Sequence, residues 1–539
     1  MCGFVLAFND ADFDVELHSK SILHRGPNST KYYEDATIKC GFNRLSIVDP
    51  GQQSDQPMFD SARRWLLLFN GEIYNYRELR GELEARYGYE FKTDSDSEVL
   101  LVGLGYERRR FVAKLNGIFA FVFVDLRDYS LLAGRDPFGV KPLYFTRKQS
   151  SYYFCSESKP LASLTSAEID RKSLALLLSS GSTLNGKSIY RDVFLVQPNS
   201  VIQVKEGKIE EYEARSMCLS ESEEVIPQKR VIEQIVAAVE RHCPEIGFGL
   251  QLSGGIDSTL LLSMLYKLER LTGTYAVNVD DTEMSEKYWQ DMALARFNTD
   301  KQARVVNLGP ADFQIKKLRG LMVSADVPFF HPSYVGATRM AKQAFDDGLK
   351  VLMSGEGADE IFIGYRWFFN DETAESIFEY TPLDKLCQFL GVDKPDTSFL
   401  NEINRLEFFQ KYYLQRWLAR SDLTGMLNSV EIRVPFLDLE LVDMANRLKM
   451  VYKTKHGAKW MMKDQLSKML PDEFVNRRKR GFDFPLNSWM QDDQISFLKI
   501  NKDLFEIDNE AIMQLNRSND YRDKRLIFSL CSFALWSGR

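Results

Sequence analysis

Histidine is scarce in this 539-residue chain: there are five, dispersed, with no two at the spacing of a metal site. A metal centre built on histidine is therefore not expected. The seven cysteines (Cys2, Cys40, Cys155, Cys218, Cys243, Cys387 and Cys531) stand singly, with no CxxC pair. An odd, scattered set argues against a disulfide frame or a zinc site and fits a reducing compartment. No apolar run approaches the ~20 residues needed to span a bilayer. No basic stretch followed by an apolar one opens the chain, so a cytoplasmic protein is expected. Repeats and low-complexity tracts are missing. The net charge of −7 gives no general attraction to nucleic acid or to an anionic membrane, so neither is expected as a partner.

The length exceeds what one core can organise, and two large domains or about three smaller ones are expected. Texture divides the chain. Up to about residue 215, short β-rich runs alternate with turns, among them "CGFVLAFN", "RWLLLFNGE" and "GIFAFVFVD". "FAFVFV" (119–124) is apolar at every position, so both faces of that strand should be covered. A sheet between other layers follows. Residues 216–229, polar, acidic and carrying a proline, read as a linker. From 230 to 539 helical periodicity dominates, with buried strand candidates "FGLQL", "YAVNV" and "LKVLMSG" between helices. That alternation indicates a parallel α/β sheet, and the aromatic-rich region from about 400 reads as a helical extension of it.

"LQLSGGIDSTLLL" (250–262) runs from a buried strand into Ser253-Gly254-Gly255-Ile256-Asp257-Ser258 and then a helix. Two glycines let the backbone approach an oxyanion, and the helix N-terminus presents N–H groups to it. Ser253 and Ser258 add hydroxyls, and Asp257 can hold a magnesium ion bridging phosphates. No Gly-Lys-Ser/Thr follows, so this is not a Walker A loop. A bare Ser-Gly-Gly is also compatible with an ordinary capped turn. The full SGGxDS between strand and helix resembles the pyrophosphate loop of ATP pyrophosphatases. "VLMSGEGADEIFIGY" (351–365) repeats the pattern, with Glu356, Asp359 and Glu360 crowding a glycine turn. Such acids repel one another unless a cation lies between them, which favours a shared magnesium–ATP site.

With these two loops the sequence resembles the glutamine-hydrolysing asparagine synthetase family through nearly its whole length. "MCG", "HRGPN" (24–28), "RLSIVD" (44–49), "NGEIYNY" (70–76), "SDSE" (95–98), "GRDPFGVKPLYF" (134–145), "SVEIRVPFLD" (429–438) and "RRKRGFDFPLNSW" (477–489) follow in family order. The resemblance implies an αββα N-terminal-nucleophile sandwich over 1–215, a class II glutamine amidotransferase domain. An α/β ATP-pyrophosphatase domain with a helical C-terminal extension then covers 230–539. It also implies that Met1 is removed, leaving Cys2 as a nucleophile with its own α-amine as base. A thiol of pKa ~8.5 beside an amine of pKa ~8 makes that pairing chemically sound and needs no histidine. By itself, Cys2 reads as a small buried residue leading a strand.

The same resemblance assigns the oxyanion hole to the Asn70 side chain and the Gly71 N–H, the glutamine α-carboxylate to Arg44, and the α-ammonium to Glu72 and Asp96. Read locally, Asn70-Gly71 is equally a hairpin turn. In the second half it places ATP against Leu252, Val277, Ser354 and Gly355. Ser253, Gly254, Gly255 and Ser258 cradle the phosphates, and Asp257 and Asp359 hold magnesium. Lys479 corresponds to a lysine that stabilises charge during adenylation, although within "RRKR" it also reads as one of a solvated basic run. Glu356 faces the acyl-adenylate as a candidate base for ammonia. A closed apolar path for ammonia between the sites is expected, as is a homodimer.

Aspartate is the expected acceptor. The same chemistry on another carboxylate, a uronic acid of a surface polysaccharide or a secondary metabolite, is the alternative, with a non-catalytic homologue as the third. The segment "ADVPFFHPSYVGATRM" (325–340) departs from the family pattern. Its Pro328, Phe329, Phe330 and His331-Pro332-Ser333 offer no evident group for a second carboxylate and an ammonium.

Overall fold

The computed structural model describes residues 2–184, 186–205, 207–217, 224–281, 284–365, 377–477, 484–490 and 492–538. The first twelve strands are β1 (Cys2–Phe8), β2 (Ser29–Glu34), β3 (Ile38–Arg44), β4 (Met58–Phe59), β5 (Trp65–Ile73), β6 (Gly117–Asp125), β7 (Ser130–Arg135), β8 (Tyr144–Lys148), β9 (Ser151–Cys155), β10 (Val193–Leu195), β11 (Ser200–Lys205) and β12 (Lys208–Glu213). They form two six-stranded sheets, ordered β10-β8-β9-β1-β3-β2 and β12-β11-β7-β6-β5-β4.

β6 shows why the continuous apolar run is needed. Its even positions Ala120, Val122 and Val124 pack with Phe4 and Leu6 of the facing sheet. Its odd positions Phe119, Phe121 and Phe123 pack outward, with Val99 and Leu101 of the helix Asp96–Glu107. The helices Val15–Ser21 and Ser158–Thr165 cover the other sheet, giving the expected αββα layering.

The second half is built on β13 (Phe248–Gln251), β14 (Leu271–Val279), β15 (Ala303–Leu308), β16 (Val351–Met353) and β17 (Glu431–Arg433). All pair in parallel in the order β15-β14-β13-β16-β17, with helices between them. β17 falls in the region from about 400 that reads as a mostly helical extension. Three residues before Pro435 are too few to show a strand period, but Glu431, Ile432 and Arg433 are fully paired with β16.

Two boundaries shift. The helix Gln228–His242 begins inside the stretch read as linker. The helix Arg171–Ser180 sits in the first half by sequence, yet its leucines 174 and 176–178 pack into the core of the second, beside Leu383 and Leu386. No helix among the described residues is long and apolar enough to cross a membrane.

Candidate functional sites

Strand register assembles the first site. β1 and β3 run antiparallel with Cys2 opposite Arg44. Alternation along β5 turns Leu66, Leu68 and therefore Asn70 toward that sheet. The backbone N–H of Cys2 donates to Asn70 Oδ1 at 3.0 Å. Asn70 Nδ2 is buried with no acceptor among the described residues, a preset donor beside the thiol. Burial pushes the Cys2 thiol up, opposed by the chain's amino terminus, the Leu45 backbone and Arg44. Met1 lies outside the described residues.

Asn70-Gly71 is no hairpin: it lies within β5, opposite Ala120 and Phe119 of β6. Gly71 has φ +148°, and a Cβ there would stand 2.0 Å from the Ile118 carbonyl oxygen. Gly71→Ala is expected to lower the apparent Tm by about 5 °C or more. A melting curve superimposable on wild type would contradict that.

The remaining residues expected to bind glutamine are engaged within the protein. Arg44 donates to Asp55 Oδ1 (2.6 Å), the Asp49 carbonyl (2.6 Å) and the Gly51 carbonyl (2.7 Å), tying down the 49–55 loop. Asp96 Oδ2 accepts the Ile73 N–H at 2.9 Å, which joins it to the end of β5. Glu72 pairs across the two halves with Arg433, which also donates to Glu431 at 2.6 Å. Burial raises the Glu72 carboxyl despite Arg433, whereas the amino terminus and Arg433 together hold Glu431 low against its own burial.

The second site lies at the C-terminal edge of the parallel sheet, where open α/β folds bind ligands. Leu252–Gly255 leave β13 and Ser354-Gly355 leave β16, its neighbour (Leu250 opposite Met353); Val277 is on β14, the neighbour on the other side. Gly254 has φ +77°, and a hydroxyl knot fixes the turn: Ser253 Oγ lies 3.1 Å from Ser258 Oγ and accepts the Gly255 N–H at 3.2 Å. A Cβ on Gly355 would meet Asp257 Cβ at 3.0 Å, so the two glycine loops touch.

Asp257 and Asp359, from the two loops, are brought to one point. Lys459 Nζ stands 2.6 Å from a carboxylate oxygen of each. Burial would lower its pKa, but the two carboxylates raise it well above the usual lysine range. Two hard oxygen donors converging on one cationic centre match what magnesium takes alongside phosphate oxygens. Among the described residues no cluster of three or more His, Cys, Asp or Glu could hold a metal unaided. Lys479 lies outside the described residues.

Sequence reading missed Lys459, which occupies a positive-φ position (φ 54°) ahead of the helix Trp460–Ser467 in a stretch with no motif. Arg477, which donates to the Gly254 carbonyl at 2.9 Å, was missed as well. Glu356 is clamped by Arg420 and by the Ser421 hydroxyl at 2.6 Å, both from the helix Gln415–Met426.

A chain of contacts joins the sites. Arg25 Nε reaches the Cys2 carbonyl at 3.3 Å, its Nη2 reaches Asp422 at 2.9 Å, and Asp422 adjoins Ser421 on Glu356. Arg25, Asp422 and the neighbouring Lys141 are buried, and the contacts among them are ionic rather than apolar.

A glutamine amidotransferase domain model matches residues 1–214, and an asparagine synthase model matches residues 230–503. Glutamine-hydrolyzing asparagine synthetase 1 of Bacillus subtilis (strain 168) is 29% identical, over 93% of this chain and 89% of that protein. A putative glutamine-hydrolyzing asparagine synthetase 1 of Methanocaldococcus jannaschii is 31% identical, over 83% and 74%. Asparagine synthetase B of Escherichia coli (strain K12) is 27% identical, over 83% and 75%.

Proposed function

The chain belongs to the asparagine synthase family, as a glutamine-hydrolysing amidotransferase of the asparagine synthetase type; from that premise we propose that it converts aspartate to asparagine through an acyl-adenylate. The observation that carries this reading is the pairing of a preset thiol site (Cys2 on Asn70) with two glycine loops meeting at Lys459.

At the first site the freed α-amine of Cys2 takes the thiol proton as Sγ attacks the glutamine side-chain carbonyl. Asn70 Nδ2 donates to the developing oxyanion, ammonia leaves, and water later releases glutamate from the thioester. At the second site an oxygen of the acceptor carboxylate attacks the α-phosphorus of ATP, and pyrophosphate departs. Ser253, Gly254, Gly255 and Ser258 hold the departing phosphates, and Lys459 balances the charge that grows between them and Asp257 and Asp359. Magnesium, held by those two carboxylates with the phosphates, would neutralise the leaving pyrophosphate. Ammonia then attacks the acyl carbon beside Glu356 and displaces AMP. Glu356, fixed by Arg420 and Ser421, accepts the proton that the attacking nitrogen sheds.

The alternative acceptor is a larger carboxylate such as a uronic acid. The deciding experiment supplies magnesium–ATP, ammonia or glutamine, and a panel of carboxylic acids, and follows pyrophosphate and amide. Aspartate-dependent pyrophosphate release is expected. Release with a uronic acid alone would eliminate aspartate.

A further inference from the structure

The acceptor side of the second site is walled by the helix Gln415–Met426 and by the segment from Phe330 to Ser333. That segment cannot neutralise an anion. His331 is fully buried, and burial together with Arg525, Arg420 and Arg416 holds its imidazole far below the usual range. Its Nδ1 accepts the Ser333 N–H at 3.0 Å and the Ser333 hydroxyl at 2.8 Å, and that hydroxyl accepts from Arg420 Nη1 at 3.1 Å. His331 is thereby fixed as the neutral tautomer.

The cations come from the helix instead. Arg416 and Arg420 are four residues apart, hence on one face, and both guanidinium groups stand over Trp417, at 5.6 and 4.8 Å. Arg420 is committed to Glu356 and Ser333. Arg416 is not committed. It is 1% exposed, and its Nε and Nη2 are buried with no acceptor among the described residues. Its guanidinium lies 3.6 Å from the centre of the Tyr413 ring, which offers a π-face but no counter-charge. A buried guanidinium with no hydrogen-bonded carboxylate is costly, so an anion that reached its Nε and Nη2 would complete this arrangement.

We propose that Arg416 binds a second anionic group of the acceptor, one helical turn from the carboxylate that is activated beside Glu356. The acceptor is then a short dicarboxylate, a four-carbon acid of the aspartate kind, and sugar acids with a single carboxylate are disfavoured. This rests on the amidation proposed above and decides its acceptor class. Arg416 is the specificity group that the 325–340 segment lacks.

The test uses the full chain with ammonia as nitrogen source and compares kcat/KM for aspartate, for β-alanine (aspartate without its α-carboxylate) and for glucuronate, by pyrophosphate release. Wild type is expected to prefer aspartate to β-alanine by at least about 100-fold. Arg416→Met should collapse that ratio to within about fivefold, and Arg416→Lys should restore part of it. A ratio is insensitive to the fraction of enzyme that folds. If Arg416→Met lowers both substrates equally and the ratio survives, Arg416 is structural and the inference fails while aspartate stands. If glucuronate is turned over and aspartate is not, the aspartate reading fails together with the dicarboxylate.

Discussion

Cys2→Ala is expected to abolish glutamine-driven amide synthesis, by about 10⁵-fold or more, while ammonia-driven synthesis stays within about twofold of wild type. The proposed nucleophile is lost outright, and among the described residues no second thiol is placed to replace it. Cys40 and Cys155, on the neighbouring strands β3 and β9, are buried, and burial drives both thiols far up. The fold should tolerate the change, because Cys2 joins the site through its backbone N–H on Asn70 and its carbonyl on Arg25, both of which alanine keeps. The measurement is amide formation with glutamine and with ammonium salt under the same conditions. Equal loss with both nitrogen sources would sink the division into two sites. The same logic requires a free amine on Cys2, so intact mass should show the chain without Met1, and a form that retains it should not hydrolyse glutamine.

The layered first half was legible because its periodicities are long. A nine-residue strand with apolar residues on both faces can only lie between two layers, and β6 does. The loops on β13 and β16 were legible because glycines and acids follow a buried strand at short range. What escaped was long-range. Lys459 meets Asp257 across 202 residues, and Arg433 meets Glu72 across 361. Local sequence carries no trace of either pairing. Asn70-Gly71 illustrates the opposite hazard: a dipeptide with strong turn chemistry lies mid-strand, because register places the amide on Cys2 and only glycine tolerates the backbone opposite Phe119. The acceptor pocket failed for the same reason as Lys459. Its cations belong to the helix Gln415–Met426, while sequence reading looked for them in 325–340.

Lys459→Met should cut acceptor-dependent pyrophosphate release by about 10³-fold, whichever nitrogen source is supplied, an effect of about 4 kcal/mol on the barrier. Asp257 and Asp359, the carboxylates proposed to lie near the phosphates, each have an oxygen 2.6 Å from this ammonium, in a position that is 6% exposed. Methionine keeps the length of the side chain and removes the charge, so packing against Gly364, where a Cβ would already crowd Lys459 Cε at 2.4 Å, is largely preserved. The loss should therefore fall on kcat more than on the acceptor KM, since the ammonium balances charge that appears only as pyrophosphate leaves. The ion pair also sets a pH limit. A lysine raised in the folded state contributes its stabilisation fully below its ordinary pKa and loses it only as pH climbs past the raised value. Activity that depends on Lys459 should then show no alkaline fall attributable to it up to about pH 10. A variant that keeps wild-type pyrophosphate release would remove Lys459 from the chemistry and leave it a strut between two loops.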